Sequence, residues 1–141
     1  MKTKSMIFFF GICIMGISMI GLTVPQAQQQ IPEPWPVPEN FKKMKNPVDP
    51  ANKEMATLGR NAYNKHCRSC HGNKGLGDGP RAASLKTFPG DFSSAEFQKF
   101  PDGEHFYRTN VGRGEMPAYE KTIPDVEERW AIVNFMRTFK K

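Results

Sequence analysis

The chain predicts an all-α domain of three to five helices, and two observations carry that expectation. Apolar residues recur at helical spacing behind capping residues in the C-terminal two thirds, and no segment shows the alternation of a half-buried strand. The first stretch is set apart by composition. Lys2 and Lys4 precede Met6 to Val24, nineteen residues without a charge. A basic head before an apolar core is the pattern of an export signal. Nineteen helical residues extend about 28 Å, close to the roughly 30 Å hydrocarbon layer and beyond the about 7–15 residues of a cleaved signal core. Residues 1–27 therefore read as a signal peptide or an N-terminal membrane anchor, with everything from Gln28 onward delivered outside.

Residues 28–48 hold five of the twelve prolines, with Pro32, Pro34, Pro36 and Pro38 at every second position. This spacing favours extended backbone and rules out helix, so the stretch is a linker or wrapping arm whose Trp35 and Phe41 can dock on a domain. The domain, residues 49–141, begins with Asp49 as expected cap and Pro50 at the first helical position. Met55, Leu58, Gly59, Ala62 and Tyr63 form one helical stripe, and a glycine on it predicts a second helix crossing very close. A glycine-rich turn region runs from Gly72 to Pro80. Ser93 and Glu96 have capping-box spacing and open a short helix. Asp102 to Val111 is a helix stopped by Gly112 and Gly114. The last helix runs from about Asp125 to Phe139, with Val126, Trp130, Ala131, Ile132, Val133, Phe135, Met136 and Phe139 on more than one face, so it is buried on two sides.

Without residues 1–27 the chain keeps 18 basic and 14 acidic residues, net +4, spread along its length. That is too weak and too unclustered for a nucleic-acid footprint, and reads as solubility with a bias toward acidic partners. Cys13 lies in the export segment. Cys67 and Cys70 form one close pair in an oxidising compartment, where they become a disulfide or are used by chemistry. His71 follows directly, and Cys67-Arg68-Ser69-Cys70-His71 is the pattern by which two thiols bind a c-type haem while the histidine ligates its iron. A thioredoxin-like pair needs a βαβ setting, and a structural zinc site needs two such pairs; neither is present in the sequence. A domain of roughly 90 residues is also thin for a self-sufficient core, so a bound group fits the size.

With Gly59 and Tyr63 before CRSCHG, GDGP at Gly77–Pro80, GRGEMPAY at Gly112–Tyr119 and WAIVNFMRTF at Trp130–Phe139, the sequence resembles the class I c-type cytochromes from Asn46 to Phe139. The resemblance implies the small cytochrome c fold around one covalently bound haem c, held by Cys67 and Cys70 with His71 as axial ligand. It places Tyr63 and Trp130 near the helix crossing, and gives the Pro80 carbonyl the proton of the His71 Nδ1. Met116 lies in a glycine-flanked loop before Pro117, and by its residues alone is either a soft ligand for iron or a gap-filling core methionine. The family likeness makes it the second axial ligand. His105, expected to face solvent, and Met136, expected in the core, are its rivals, and His66 is expected to point outward.

The function implied is a non-enzymatic one-electron carrier of a respiratory chain in the periplasm. Its donor would be a quinol-oxidising membrane complex, and its acceptor a terminal oxidase or periplasmic reductase. A non-diffusing haem subunit of a membrane oxidoreductase complex is the alternative. A haem peroxidase or gas-binding protein, with Arg113 near Met116, is a third; Arg113 is expected instead to pair with a haem propionate. Asp78, Asp91 and Glu115 read as isolated turn or surface carboxylates. Intact mass of the exported protein separates the two readings of its N-terminus: a chain starting near Gln28 establishes a cleaved signal, and one retaining residues 1–27 an anchor.

Overall fold

The computed structural model describes residues 33–141, so the expectations for residues 1–27 and Cys13 lie outside the described residues. Six α-helices follow in order: α1 Glu39–Lys42, α2 Lys53–His66, α3 Arg68–His71, α4 Ala95–Lys99, α5 Asp102–Val111 and α6 Val126–Arg137, with a 3₁₀ turn at Ala82–Ser84 between α3 and α4. Five of them, α2 to α6, fall within residues 49–141, as expected; α1 corrects the exclusion of helix from residues 28–48, since this single turn begins just after Pro38, the last of the alternating prolines. Among the described residues no helix is long and apolar enough to cross a membrane.

Caps decide where the helices start. α2 opens three residues later than expected: Asn52 accepts from the N–H groups of Glu54 and Met55, while Asp49 closes a turn by accepting from Ala51. Ser94, not Ser93, caps α4, because the Ser93 hydroxyl donates to Asp91 at 2.6 Å. The expected cap of α6 is confirmed, since Asp125 accepts from Glu127 and Glu128. α5 has the expected bounds and ends at Gly112, whose φ of +60° turns the chain out of the helix.

The core lies where α2 crosses α6. A Cβ on Gly59 would run into the backbone carbonyl of Ala131, so the two backbones touch with nothing between them. That contact draws Tyr63, Ile132 and Val133 out of solvent altogether or nearly so. The Tyr63 ring packs against Phe135 and Phe139, and its hydroxyl donates to the Gly72 carbonyl at 2.8 Å, so its polar end is satisfied. On its other side α6 meets α5, with the Phe106 and Trp130 rings stacked at 3.9 Å. α6 is thus buried on two sides, although Val126, in its first turn, stays exposed.

Two arginines staple the loops. Arg129 donates to the carbonyls of Glu120 and Ile123, and Arg137 binds Asp102 and the carbonyls of Gln98 and Phe100. Asn46 and Asn134 bond each other, and each also takes a backbone carbonyl, tying residues 46–48 to α6. Phe41 meets Tyr107 of α5 with ring centroids 4.8 Å apart.

His105 corrects the sequence reading: it is 2 % exposed, stacked on Phe97 at 4.1 Å and edge-on to Phe100. Neither Arg137 nor Arg108 favours a second cation there, although Glu104 on the same helix pairs with Arg108 at 2.9 Å. Burial first, then the two arginines, push the imidazole down to about 3.

Gly59→Val is expected to cost about 3 kcal/mol, because a backbone carbonyl cannot yield to the new side chain; an unchanged urea midpoint would refute the crossing. The unfolded chain takes up a proton on His105 near the ordinary 6.5, and the folded chain refuses it until about 3. The site's contribution is therefore complete above pH 6.5 and falls away as pH drops from 6.5 toward 3. His105→Phe should narrow the gap between urea midpoints at pH 7 and pH 5, and an unaltered gap would contradict a buried neutral imidazole.

Candidate functional site

The site grows from the end of α2. Cys67 closes that helix and opens α3, and the Cys67 carbonyl accepts from both Cys70 at 3.1 Å and His71 at 3.0 Å. Residues three and four apart on one turn share a side, so both thiols and the imidazole belong to one small surface. The following loop folds back on this turn: Gly77 donates to the His71 carbonyl, Gly79 to that of Cys70, and Arg81 to that of Ser69.

The opposite wall comes from the segment after α5. Arg113 and Met116 pair their backbones in both directions, at 2.9 and 3.0 Å, closing a tight turn. Glu115 in this turn accepts from the N–H groups of Lys86 and Thr87, so it is a bridge between loops and not an isolated carboxylate. Tyr119 then donates its hydroxyl to the His66 carbonyl at 2.7 Å, tying the turn to α2. His66 is half-buried, edge-on to the Tyr119 ring at 5.8 Å, and does not simply point outward.

These walls meet at a small cleft lined by Cys67, His71, Phe92, Thr109, Met116, Tyr119, Ile132 and Met136. The fold thus brings together Cys67, His71 and Met116, although Met116 is 45 residues from His71 in the chain. Cys70 is half-buried on the same turn as His71, its Sγ 3.8 Å from the Ser69 hydroxyl. Met136 is in the core as expected and also lines the cleft, whereas His105 is not among the lining residues.

The cleft is neutral and largely apolar. Burial pushes the Cys67 thiol up to about 12, with Cys70 adding to the effect. The Tyr119 hydroxyl rises to about 12, again chiefly by burial and then by the two cysteines. Burial lowers His71 to about 4, against a weaker pull from the Pro89 carbonyl, so its imidazole is neutral at physiological pH. The ring stacks on Phe92 at 4.4 Å, and its Nδ1 is sealed from solvent without a hydrogen-bond partner. The Pro80 carbonyl, expected to take that proton, does not; its loop is pinned to α3 and Pro80 stays at the surface.

Arg113 is the other departure. Its guanidinium donates to the carbonyls of Glu33 and Pro34 and lies over the Trp35 ring, so the proline-rich arm engages it. Phe92, Thr109 and Ile132 were not foreseen as lining residues. Phe92 sits in a loop where no periodicity applies, and Thr109 is a polar residue on a helix. Tyr119 was legible only as part of the loop motif.

Two free thiols, a buried neutral imidazole and a thioether, set around an apolar cleft, fit the donor set of a c-type haem. Among the described residues no group of three or more His, Cys, Asp or Glu comes together to hold a bare metal ion.

Comparisons with known proteins agree. The c-type cytochrome KustC0563 is 32 % identical, with a TM-score of 0.52 over 59 % of this chain and 98 % of its own. A point mutant of the same cytochrome aligns at 30 % identity and a TM-score of 0.50. A chain of the Kuenenia stuttgartiensis reducing HAO-like protein complex Kustc0457/Kustc0458 has a TM-score of 0.58 over 78 % of this chain, but is 24 % identical and shows the fold alone. The present protein spans about half of that chain, with 52 % covered. No curated protein sequence matches. The family described as cytochrome c oxidase, cbb3-type, subunit III matches residues 54–136. With more than half its length matched, the chain belongs to that family, and so to the class I c-type cytochromes, which carry covalently bound haem c and transfer electrons.

Proposed function

We propose that the protein is a one-electron carrier of a respiratory chain, exported to the periplasm, in which Cys67 and Cys70 hold one haem c and His71 and Met116 are its axial ligands. The observation that supports this most is the meeting of Cys67, His71 and Met116 at one apolar cleft. When bound, the haem iron supplies a centre that gains or loses one electron. Cys67 and Cys70, one helical turn apart, anchor the group through thioethers. Burial keeps His71 neutral and its nitrogen lone pair available at physiological pH. Met116 offers a soft sulfur that favours the reduced metal and raises the potential. Phe92, Ile132 and Met136 line the cleft and exclude water. With both His71 and Met116 holding the iron, no position would remain open to a substrate, and this favours a carrier over a haem peroxidase or gas-binding protein.

Lys65, Arg68, Lys74 and Arg81 are all exposed around the attachment turn, a distribution suited to docking acidic surfaces. A quinol-oxidising membrane complex as donor, and a terminal oxidase or periplasmic reductase as acceptor, are the partners we infer. A fixed subunit of a membrane oxidoreductase complex is the second reading, favoured by the family's description as an oxidase subunit. Purification from native membranes separates the two, since a carrier leaves with salt and a subunit co-migrates with its complex.

Haem is expected to survive denaturation and acid–acetone extraction in the native protein, and loss of colour would exclude the thioethers. Met116→Ala is expected to open the oxidised protein to cyanide and to lower its reduction potential. Unchanged spectra and potential would remove Met116 as ligand and turn attention to Met136.

A further inference from the structure

The segment before α1 lies against the turn that carries Met116, and Arg113 makes the connection. Its guanidinium donates to the Glu33 carbonyl at 2.8 Å and the Pro34 carbonyl at 3.2 Å, with Cζ 4.6 Å from the centre of the Trp35 ring. Its backbone is paired both ways with that of Met116. One residue thus grips three groups of the arm with its side chain and the Met116 backbone with its own. The arm is itself anchored farther on. Val37 is buried, the Phe41 ring packs on Tyr107, and Gly103 of α5 leaves room for the Phe41 carbonyl. Residues 33–41 therefore bridge α5 and the Met116 turn, and lifting the turn away from the cleft breaks every Arg113 contact with the arm at once.

We propose that Trp35 and Arg113 are positioning residues, strapping the proline-rich arm across the Met116 turn and thereby setting how often that turn swings out and admits a small ligand. The inference rests on the reading of Met116 as an axial ligand. A foreign ligand can occupy that position only when the turn is open, so its apparent affinity is its intrinsic affinity multiplied by the open fraction. Local openings of this kind depend on the contacts they break, not on global stability. Losing an exposed cation–π contact with its accompanying hydrogen bonds shifts such an equilibrium by about fivefold to tenfold. Prolines suit the task, because a stiff arm loses little freedom when held.

The test uses the full-length, haem-loaded, oxidised protein and measures cyanide affinity, with the reduction potential as second readout. Trp35→Ala and Arg113→Ala are each expected to raise cyanide affinity about fivefold to tenfold. Trp35→Phe, which keeps an aromatic face for the guanidinium, should stay near wild type. Asn52→Ala removes the α2 cap and serves as a control that lowers stability away from the turn; its cyanide affinity should be unchanged. The proposal is overturned if Trp35→Ala and Arg113→Ala bind cyanide like wild type while Met116→Ala binds far more tightly, a result that leaves the ligand assignment standing. It is overturned equally if Asn52→Ala raises affinity as much as the arm variants. If Met116→Ala matches wild type, the ligand reading fails and the strap fails with it.

Discussion

The contact between Gly59 and Ala131 sets the distance between α2 and α6, and the positions of the site residues follow from it. Backbones that touch leave no room for adjustment. The end of α2, where Cys67 sits, is then held against the face of α6 that presents Ile132 and Met136. Tyr63, Phe135 of α6 and Phe139 just beyond it fill the space beside the crossing, and the Tyr63 hydroxyl reaches on to the chain just after His71. A side chain at position 59 would separate the helices and move one wall of the cleft relative to the other. Interiors packed at crystal-like density pass such shifts on instead of absorbing them.

Charge is kept out of the cleft and used elsewhere. Two arginines serve backbone carbonyls: buried Arg129 those of the loop before α6, and half-buried Arg137 those at the end of α4. Around the cleft the two hydroxyls, of Thr109 and Tyr119, are bonded to carbonyls, whereas the Nδ1 of His71 has no partner. A neutral, water-poor surround suits a redox group, since burial and hydrogen bonding to the ligands are among the main influences on its potential. The exposed lysines and arginines near the attachment turn act at longer range, on encounter with a partner.

The Met116 turn differs in character from the helical wall. It is held by paired backbones, by Glu115 reaching to residues 86 and 87, by Tyr119 reaching to α2, and by Arg113 reaching to the arm. Several modest contacts from four parts of the chain replace one rigid crossing. Gly112 makes the turn possible, since a Cβ there would meet the carbonyl of Met116. Such a loop opens more readily than a helix packed in the core.

The sequence by itself determined the helical class, the attachment turn and the crossing point, because each rests on local information. Periodic apolar residues make a helical stripe, and two thiols with a following histidine act within one turn of helix. A glycine on a buried stripe points to close approach whatever crosses it. Helix starts at Asn52 and Ser94 escaped the sequence because neighbouring polar residues, Asp49 and Ser93, could equally cap a helix, and in the fold each is engaged in a turn instead. His105 looked like a surface residue, yet tertiary contacts buried it between aromatic rings. Arg113 looked free to meet a propionate, and the arm, some eighty residues earlier in the chain, took it. Phe92, Thr109 and Ile132 became a single lining only when a loop and two helices met. Such groupings depend on distances between segments remote in sequence, which local spacing does not encode and the packing of α2 against α6 does.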